Sequence, residues 1–143
     1  MSEKSAKAKR TEEKQAERAK GFKIDVRPYT VQVPDFDEKG TLKTKGGKPV
    51  MKDDDFDVQG SLCDILFNRE LENKPQDAFK AHDLAVKIRA AKSFVILDKD
   101  EMAMVRRAYD VLKGVGENMI EFLSRIKDAE EISLKEAEGE AED

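Results

Sequence analysis

One cysteine and one histidine stand in the whole of this 143-residue chain, and that scarcity removes several chemistries at once. Cys63 has no second cysteine with which to form an internal disulfide, as expected of a chain kept in a reducing compartment. A nucleophilic relay needs a base beside its serine or cysteine. His82 and Cys63 each fall in a predicted helix, where His82 reads as a surface or half-buried side chain and Cys63 as a small core residue. A zinc site needs more ligands than these two supply, and no G-x-S-x-G elbow occurs. Long apolar runs are missing too. Nothing approaches the roughly eighteen residues that span a bilayer, and no apolar stretch separates the N-terminal lysines from Gly21. Neither insertion nor export is expected, no membrane contact is read, and the cytoplasm is the default location.

Charge is what the chain has in abundance: 41% of its residues are charged and 38% apolar, with a net charge of −4. That composition is too polar to be packed throughout, so part of it is expected to be solvated tail. The sum hides an asymmetry. Lys4, Lys7, Lys9, Arg10, Lys14, Arg18 and Lys20 make the N-terminal arm net basic, whereas the end of the chain, from Asp128 through Glu130, Glu131, Glu136, Glu138, Glu140 and Glu142 to Asp143, is strongly acidic. The length suits one domain. The expected organisation is a basic flexible arm over 1–21, a single domain over 22–134 and an acidic flexible tail over 135–143.

Alternation of Phe22, Ile24 and Val26 against Lys23, Asp25 and Arg27 predicts a half-buried strand. It resumes at Tyr29, Val31 and Val33 shifted by one residue, at Pro28, which cannot donate to a ladder. The strand therefore bends or bulges there, or its halves pair with different neighbours. Asp35 to Gly40 reads as loop. Thr41–Lys45 and Lys48–Lys52 flank Gly46-Gly47, a combination that accepts the positive φ angles of a tight hairpin turn, and Pro49 restricts the second arm to an edge. After the acidic run Asp53–Asp57 the period becomes helical. Ser61 with Asp64 has the spacing of a cap ahead of Leu62, Ile65 and Leu66. Pro75 opens a second helix with Ala81, Leu84, Ala85 and Ile88 as its stripe. Phe94–Leu97 reads as a buried strand. Asp98 with Glu101 caps a third helix carrying Met102, Val105, Tyr109 and Leu112. Asn118 with Glu121 opens a fourth, carrying Met119, Phe122, Leu123 and Ile126, and Ile132-Ser133-Leu134 reads as a last strand. Strands first and helices later argue for an α+β domain: a small antiparallel sheet or hairpin from the N-terminal half, packed by about four helices from the C-terminal half.

Two suggestive motifs fail on chemistry. Lys45-Gly46-Gly47-Lys48 invites a phosphate-loop reading, but the spacing is wrong and Pro49 stands where Ser or Thr would bind magnesium. Asp55 to Leu62 resembles the start of a calcium loop, yet Leu66 occupies the position of the bidentate glutamate. No cofactor and no metal are expected, and no enzyme activity.

What remains are surfaces. The basic arm is able to neutralise phosphates. Lys39, Lys43, Lys45, Lys48 and Lys52 stud the hairpin, with Tyr29 or Phe36 as candidate stacking faces for a base; lysine on an edge hairpin also prevents strand-to-strand aggregation. Met104, Val111 and Val115 exceed what the helical stripes need, and would extend a helix pair into a subunit interface, making a homo-oligomer.

Gly60-Ser61-Leu62-Cys63-Asp64-Ile65-Leu66-Phe67-Asn68, then Leu84-Ala85-Val86-Lys87-Ile88 and Gly114-Val115-Gly116-Glu117-Asn118, resemble the layout of small accessory proteins of tailed bacteriophages. The resemblance covers roughly residues 58–134 and carries no catalytic motif. It implies a protein that binds a virion component or a host protein, located in the virion or the host cytoplasm. The leading expectation is a non-enzymatic interaction or assembly protein with a protein partner. The alternative is a nucleic-acid-binding accessory protein using the basic arm and the lysine-rich hairpin.

Overall fold

The computed structural model describes residues 20–133. Its first strand, β1 (Lys20–Asp25), buries Ile24, with Val26 buried just beyond it, and turns Lys23 and Asp25 outward. β1 is the centre of a three-stranded antiparallel sheet, with β6 (Phe94–Leu97) on one side and β7 (Glu130–Ser133) on the other. Flanking partners therefore come from the far half of the chain. At Pro28 the chain leaves this sheet. Its continuation, β2 (Tyr29–Pro34), pairs only with β5 (Met51–Phe56), Tyr29 opposite Phe56 and Pro34 opposite Met51. Of the readings open at the shift in alternation, the structure takes the one in which the two halves have different neighbours.

β5 corrects one expectation. The acidic run that follows the expected hairpin arm is itself largely strand, because Asp53, Asp54 and Asp55 lie within β5 and face Gln32, Val31 and Thr30 across the ladder. Pairing to β2 supplies hydrogen bonds that a run of three aspartates would not attract by its own propensity.

Among the described residues there are four α-helices: α1 (Val58–Ile65), α2 (Pro75–Ala90), α3 (Lys99–Asp110) and α4 (Ile120–Lys127). The cap of α1 is Asp57, not Ser61: the Asp57 carboxylate accepts the Gly60 N–H at 2.9 Å. A Cβ at position 60 would lie 2.3 Å from Asp57 Oδ2, so any larger residue there would require the capping carboxylate to shift. α2 starts at Pro75 as expected. Its last carbonyls are met by Gln59 of α1, whose Nε2 donates to Ile88 O at 2.9 Å and Ala91 O at 2.5 Å, so one side chain closes a helix end that would otherwise need water. α3 carries the expected reciprocal cap, Asp98 to the Glu101 N–H and Glu101 back to the Asp98 N–H. Glu101 also pairs with Lys87 of α2 at 2.7 Å.

α4 departs from expectation. Asn118 does not cap it, because a 3₁₀ turn (Glu117–Met119) intervenes and the helix starts at Ile120 with no side-chain cap of its own sequence neighbourhood. The helices cover the inner face of the sheet, and Ile24, Leu62, Leu84, Ile88, Leu97, Met102, Val105, Phe122 and Ile126 are at most 2% exposed. The class is α+β, with strands mainly in the first half and helices mainly in the second. No helix among the described residues is long and apolar enough to cross a membrane.

Phe122 is 1% exposed and meets Phe56 with ring centroids 5.6 Å apart. Replacing it by alanine is expected to cost about 3–5 kcal/mol of stability, read as a lower urea midpoint in equilibrium unfolding.

Candidate functional site: the arm and its joint

From Thr30 to Asp55 no residue is buried, although this stretch is hydrogen-bonded throughout its two-stranded stem. It is an arm, and its base is built with care. The Tyr29 ring stacks on Phe56 at 4.9 Å and 14°, and Arg125 lies over it at 5.1 Å from the centroid. The Tyr29 hydroxyl donates to Asn118 O at 2.5 Å and accepts the Phe122 N–H at 3.2 Å. Phe122 is the third residue of α4, so a strand side chain satisfies one of the orphan donors that the helix's own sequence leaves open. Asn118 uses its side chain elsewhere, donating Nδ2 to Gln32 O at 3.1 Å on the free edge of β2.

Arg125 closes the other side. Its Nη1 donates to Asp25 O at 3.1 Å and Arg27 O at 2.6 Å, its Nη2 pairs with Glu121 at 3.3 Å, and its side chain is only 17% exposed. The two carbonyls bracket the turn into Pro28. A charge so far covered needs such partners to be tolerated.

Asp25 completes the joint. It accepts the backbone N–H, Nε and Nη2 of Arg27 at 2.9, 3.0 and 2.7 Å, and lies 3.6 Å from Arg125. The hydrogen bonds from the Arg27 side chain hold its carboxyl below the usual aspartate value, against a smaller opposing effect of burial. Burial pushes the Tyr29 hydroxyl up, with the Phe122 N–H pulling the other way.

At its outer end the arm forks. Asp35 N–H donates to Val50 O at 2.8 Å, Lys43 N–H to Asp35 O and Val50 N–H to Lys43 O, both at 2.9 Å. Two small hairpins spring from this three-way junction. One turns through Asp37–Thr41 with Phe36 opposite Leu42. The other joins β3 (Thr44–Lys45) to β4 (Lys48–Pro49) through Gly46 and Gly47 at φ 60° and 79°, the left-handed conformation that makes glycine the fitting residue. Gly46-Gly47 is thus the hairpin turn that the sequence predicts.

Lys43 pairs with Asp35 at 3.2 Å and Lys52 reaches the same carboxylate at 4.0 Å. Lys39, Lys45 and Lys48 make no ion pair among the described residues, and neither do Asp53, Asp54 and Asp55. Both faces of the Tyr29 ring are occupied, which corrects its candidacy as a stacking face; Phe36 at 53% exposure stays open. An open groove of about 500 Å³ runs beside the stem, lined by Val31, Gln32, Met51, Glu117, Asn118 and Glu121 among others.

Other sequence candidates lie apart from the arm. Lys20 begins β1 and sits 3.6 Å from Glu131 of β7; Lys4, Lys7, Lys9, Arg10, Lys14 and Arg18 lie outside the described residues, as does the tail from residue 134. Met104 and Val111 are partly buried against the core, and Val115 is 45% exposed. His82 is exposed on α2. Cys63 is 1% exposed with Sγ 3.6 Å from Ala85 O, and burial raises its thiol pKa. Arg125 and Asn118 were missed by sequence reasoning. The only hint lay in Arg125 itself, a cation set between the apolar stripe positions Phe122 and Ile126.

Comparison with protein-family models, curated proteins and solved structures finds no match for this chain.

Tyr29→Phe keeps the stack and removes both hydroxyl bonds, so a loss of about 1–2 kcal/mol is expected in urea unfolding. The joint also sets a pH dependence. Asp25, with its folded pKa lowered, contributes stability that is present above the ordinary aspartate range and is lost as pH falls through the lowered value. Tyr29, with its folded pKa raised, contributes stability that is present below the ordinary tyrosine range and is lost as pH rises through the raised value. The gap in Tm between wild type and Asp25→Asn should therefore narrow on acidification below about pH 4, and that of Tyr29→Phe on alkalinisation above about pH 10.

Proposed function

We propose that this is a non-enzymatic interaction or assembly protein whose arm is the element presented to a protein partner. The observation that carries the reading is the contrast between the arm's two ends: a base fixed by Tyr29, Asn118 and Arg125, and a stem and fork in which nothing is buried. An isolated two-stranded hairpin is marginal in water. Holding one out from a packed body makes physical sense when its faces and edges are completed by another molecule. Exposed Phe36, Leu42 and Met51 at the fork offer the apolar anchors that protein interfaces use at their centre. The resemblance to phage accessory proteins is in keeping with a virion component or a host protein in that role.

A second reading has its own support, since Lys39, Lys45 and Lys48 stand beside exposed Phe36, the pairing of cation and aromatic that single-stranded nucleic acid favours. Asp53, Asp54 and Asp55 on the same arm repel phosphate, which is why the protein partner is preferred.

Pro34 and Met51 are register partners, so an Asn-Gly turn in place of residues 35–50 shortens the arm while leaving its stem able to close. The trimmed protein is expected to keep its circular dichroism and unfolding midpoint and to lose the dominant protein crosslinked to wild type in its native cell. Retention of that crosslink by the trimmed protein refutes the proposal.

A further inference from the structure

The stem of the arm has two edges, and they are not equally open. In an antiparallel ladder, opposite residues alternate between pairs that exchange backbone hydrogen bonds and pairs that turn their N–H and C=O groups outward. Asp35 N–H donates to Val50 O, whereas Gln32 O accepts Asn118 Nδ2 from outside the ladder. The register then places Tyr29, Val31 and Val33 at bonded positions and Thr30, Gln32 and Pro34 on the outer edge of β2. Asn118 occupies the middle of that edge, and Pro34 at its end has no N–H to give. On the other side of the ladder Met51, Asp53 and Asp55 turn outward. The Asp55 N–H is taken by Asp54 Oδ1 at 2.9 Å. The N–H groups of Met51 and Asp53 and the carbonyls of all three residues point away from the ladder, on a stretch whose residues are all exposed.

Proline, a bulge or a cover usually protects such an edge. β5 has no proline, and its register with β2 runs unbroken from Tyr29–Phe56 to Pro34–Met51. What it has is charge, and that charge is selective. Asp53 and Asp55 share one face of the ribbon with Met51, while Asp54 lies on the other, so an added strand meets carboxylates whichever way its side chains point. Asp53 accepts a hydrogen bond from the Gln32 side chain, but none of the three carboxylates makes an ion pair among the described residues. A second copy of β5 laid antiparallel about Asp54 would set Asp54 against its own copy and Asp53 against Asp55, and like charges directly opposite are destabilising. Phosphate is repelled as well. A strand with Lys or Arg at those positions is attracted on both faces.

Resting on the reading of the arm as a protein-docking element, we propose that the open edge of β5 takes an extended basic segment of the partner protein as a third strand. Lys or Arg side chains of that segment stand opposite Asp53, Asp54 and Asp55, and an apolar side chain stands opposite Met51, which is 47% exposed. In this mode the main-chain bonds supply affinity and the alternating side chains supply specificity. The same partner covers Phe36 and Leu42 on the fork, so trimming the arm and blocking its edge each weaken the complex.

The probe is the end-capped peptide Thr-Arg-Lys-Arg-Thr-Val-Thr, titrated into ¹⁵N-labelled full-length protein. Laid antiparallel, it sets its basic residues opposite Asp55, Asp54 and Asp53 and its valine opposite Met51. Saturable shifts are expected in the amide signals of Met51–Asp55, with slower solvent exchange of the Met51 and Asp53 N–H groups. A peptide of the same charge, methylated on the backbone nitrogens of both arginines and the valine, should bind at least about tenfold more weakly, and so should the original peptide to the triple variant Asp53→Asn, Asp54→Asn, Asp55→Asn. Equal affinity for the methylated peptide, or no saturable shift at millimolar peptide, overturns the proposal. In the native cell the triple variant should lose the crosslink that trimming removes. If it keeps a crosslink that trimming removes, the docking role stands and the edge is not its site. If trimming leaves the crosslink in place, the docking reading falls and the third strand falls with it.

Discussion

Everything outside the helical body hangs on how the chain turns at Pro28. Strand β1 ends inside one sheet, the next residues begin another, and the backbone between them exposes carbonyls that neither ladder can use. Arg125 answers this with one guanidinium shared between Asp25 O and Arg27 O, while Tyr29, the first residue beyond the break, reaches back to the opening turn of the same helix that carries Arg125. Helix α4 thus receives a cap from the strand and returns a clamp to it. Neither element is complete without the other. An unmet buried hydrogen-bonding group costs on the order of 1–3 kcal/mol, so this exchange fixes the direction in which the arm leaves the body.

The body and the arm are stabilised by different physics. Burial dominates the first, with Phe122, Leu62, Leu84, Ile88, Leu97 and their neighbours almost wholly withdrawn from water. Beyond Phe56 the arm buries nothing and relies on cross-strand pairs, backbone ladders, the fork's three mutual hydrogen bonds, the Asp35 ion pairs and the Asn118 bond to Gln32. Such interactions are individually modest and readily traded for equivalent ones with another chain. A segment held this way is suited to contact, since forming an interface on it does not compete with the packing that keeps the domain folded.

Local signals in the sequence were enough for much of the body. The alternation through Ile24, Pro75 at a helix start and the reciprocal spacing of Asp98 and Glu101 each encode their structure within a few residues, and each is found where expected. Where two local signals compete, the sequence alone does not arbitrate. Ser61 with Asp64 has the spacing of a cap, but the helix starts earlier, at Val58, and Asp57 caps it through the Gly60 N–H. The β5 half of the stem escapes detection for a different reason, because three successive aspartates show no period of two and become a strand only through β2, whose own alternation is legible, on the other side of the ladder. In the candidate site, Gly46-Gly47 announces the lysine hairpin, whereas Tyr29 is 89 residues from Asn118 and still farther from Arg125, and meets them only once the helices have packed. Their roles are tertiary, and no spacing rule contains them.

The lone thiol of the molecule sits where it can report on all this. Cys63 is sealed between α1 and α2, against the carbonyl of Ala85, with its thiolate disfavoured by burial. A thiol reagent in the surrounding water has no route to it until those two helices separate. Its rate of modification consequently measures how often the helix pair opens, a clock for the body's breathing that runs without any label and leaves the arm untouched.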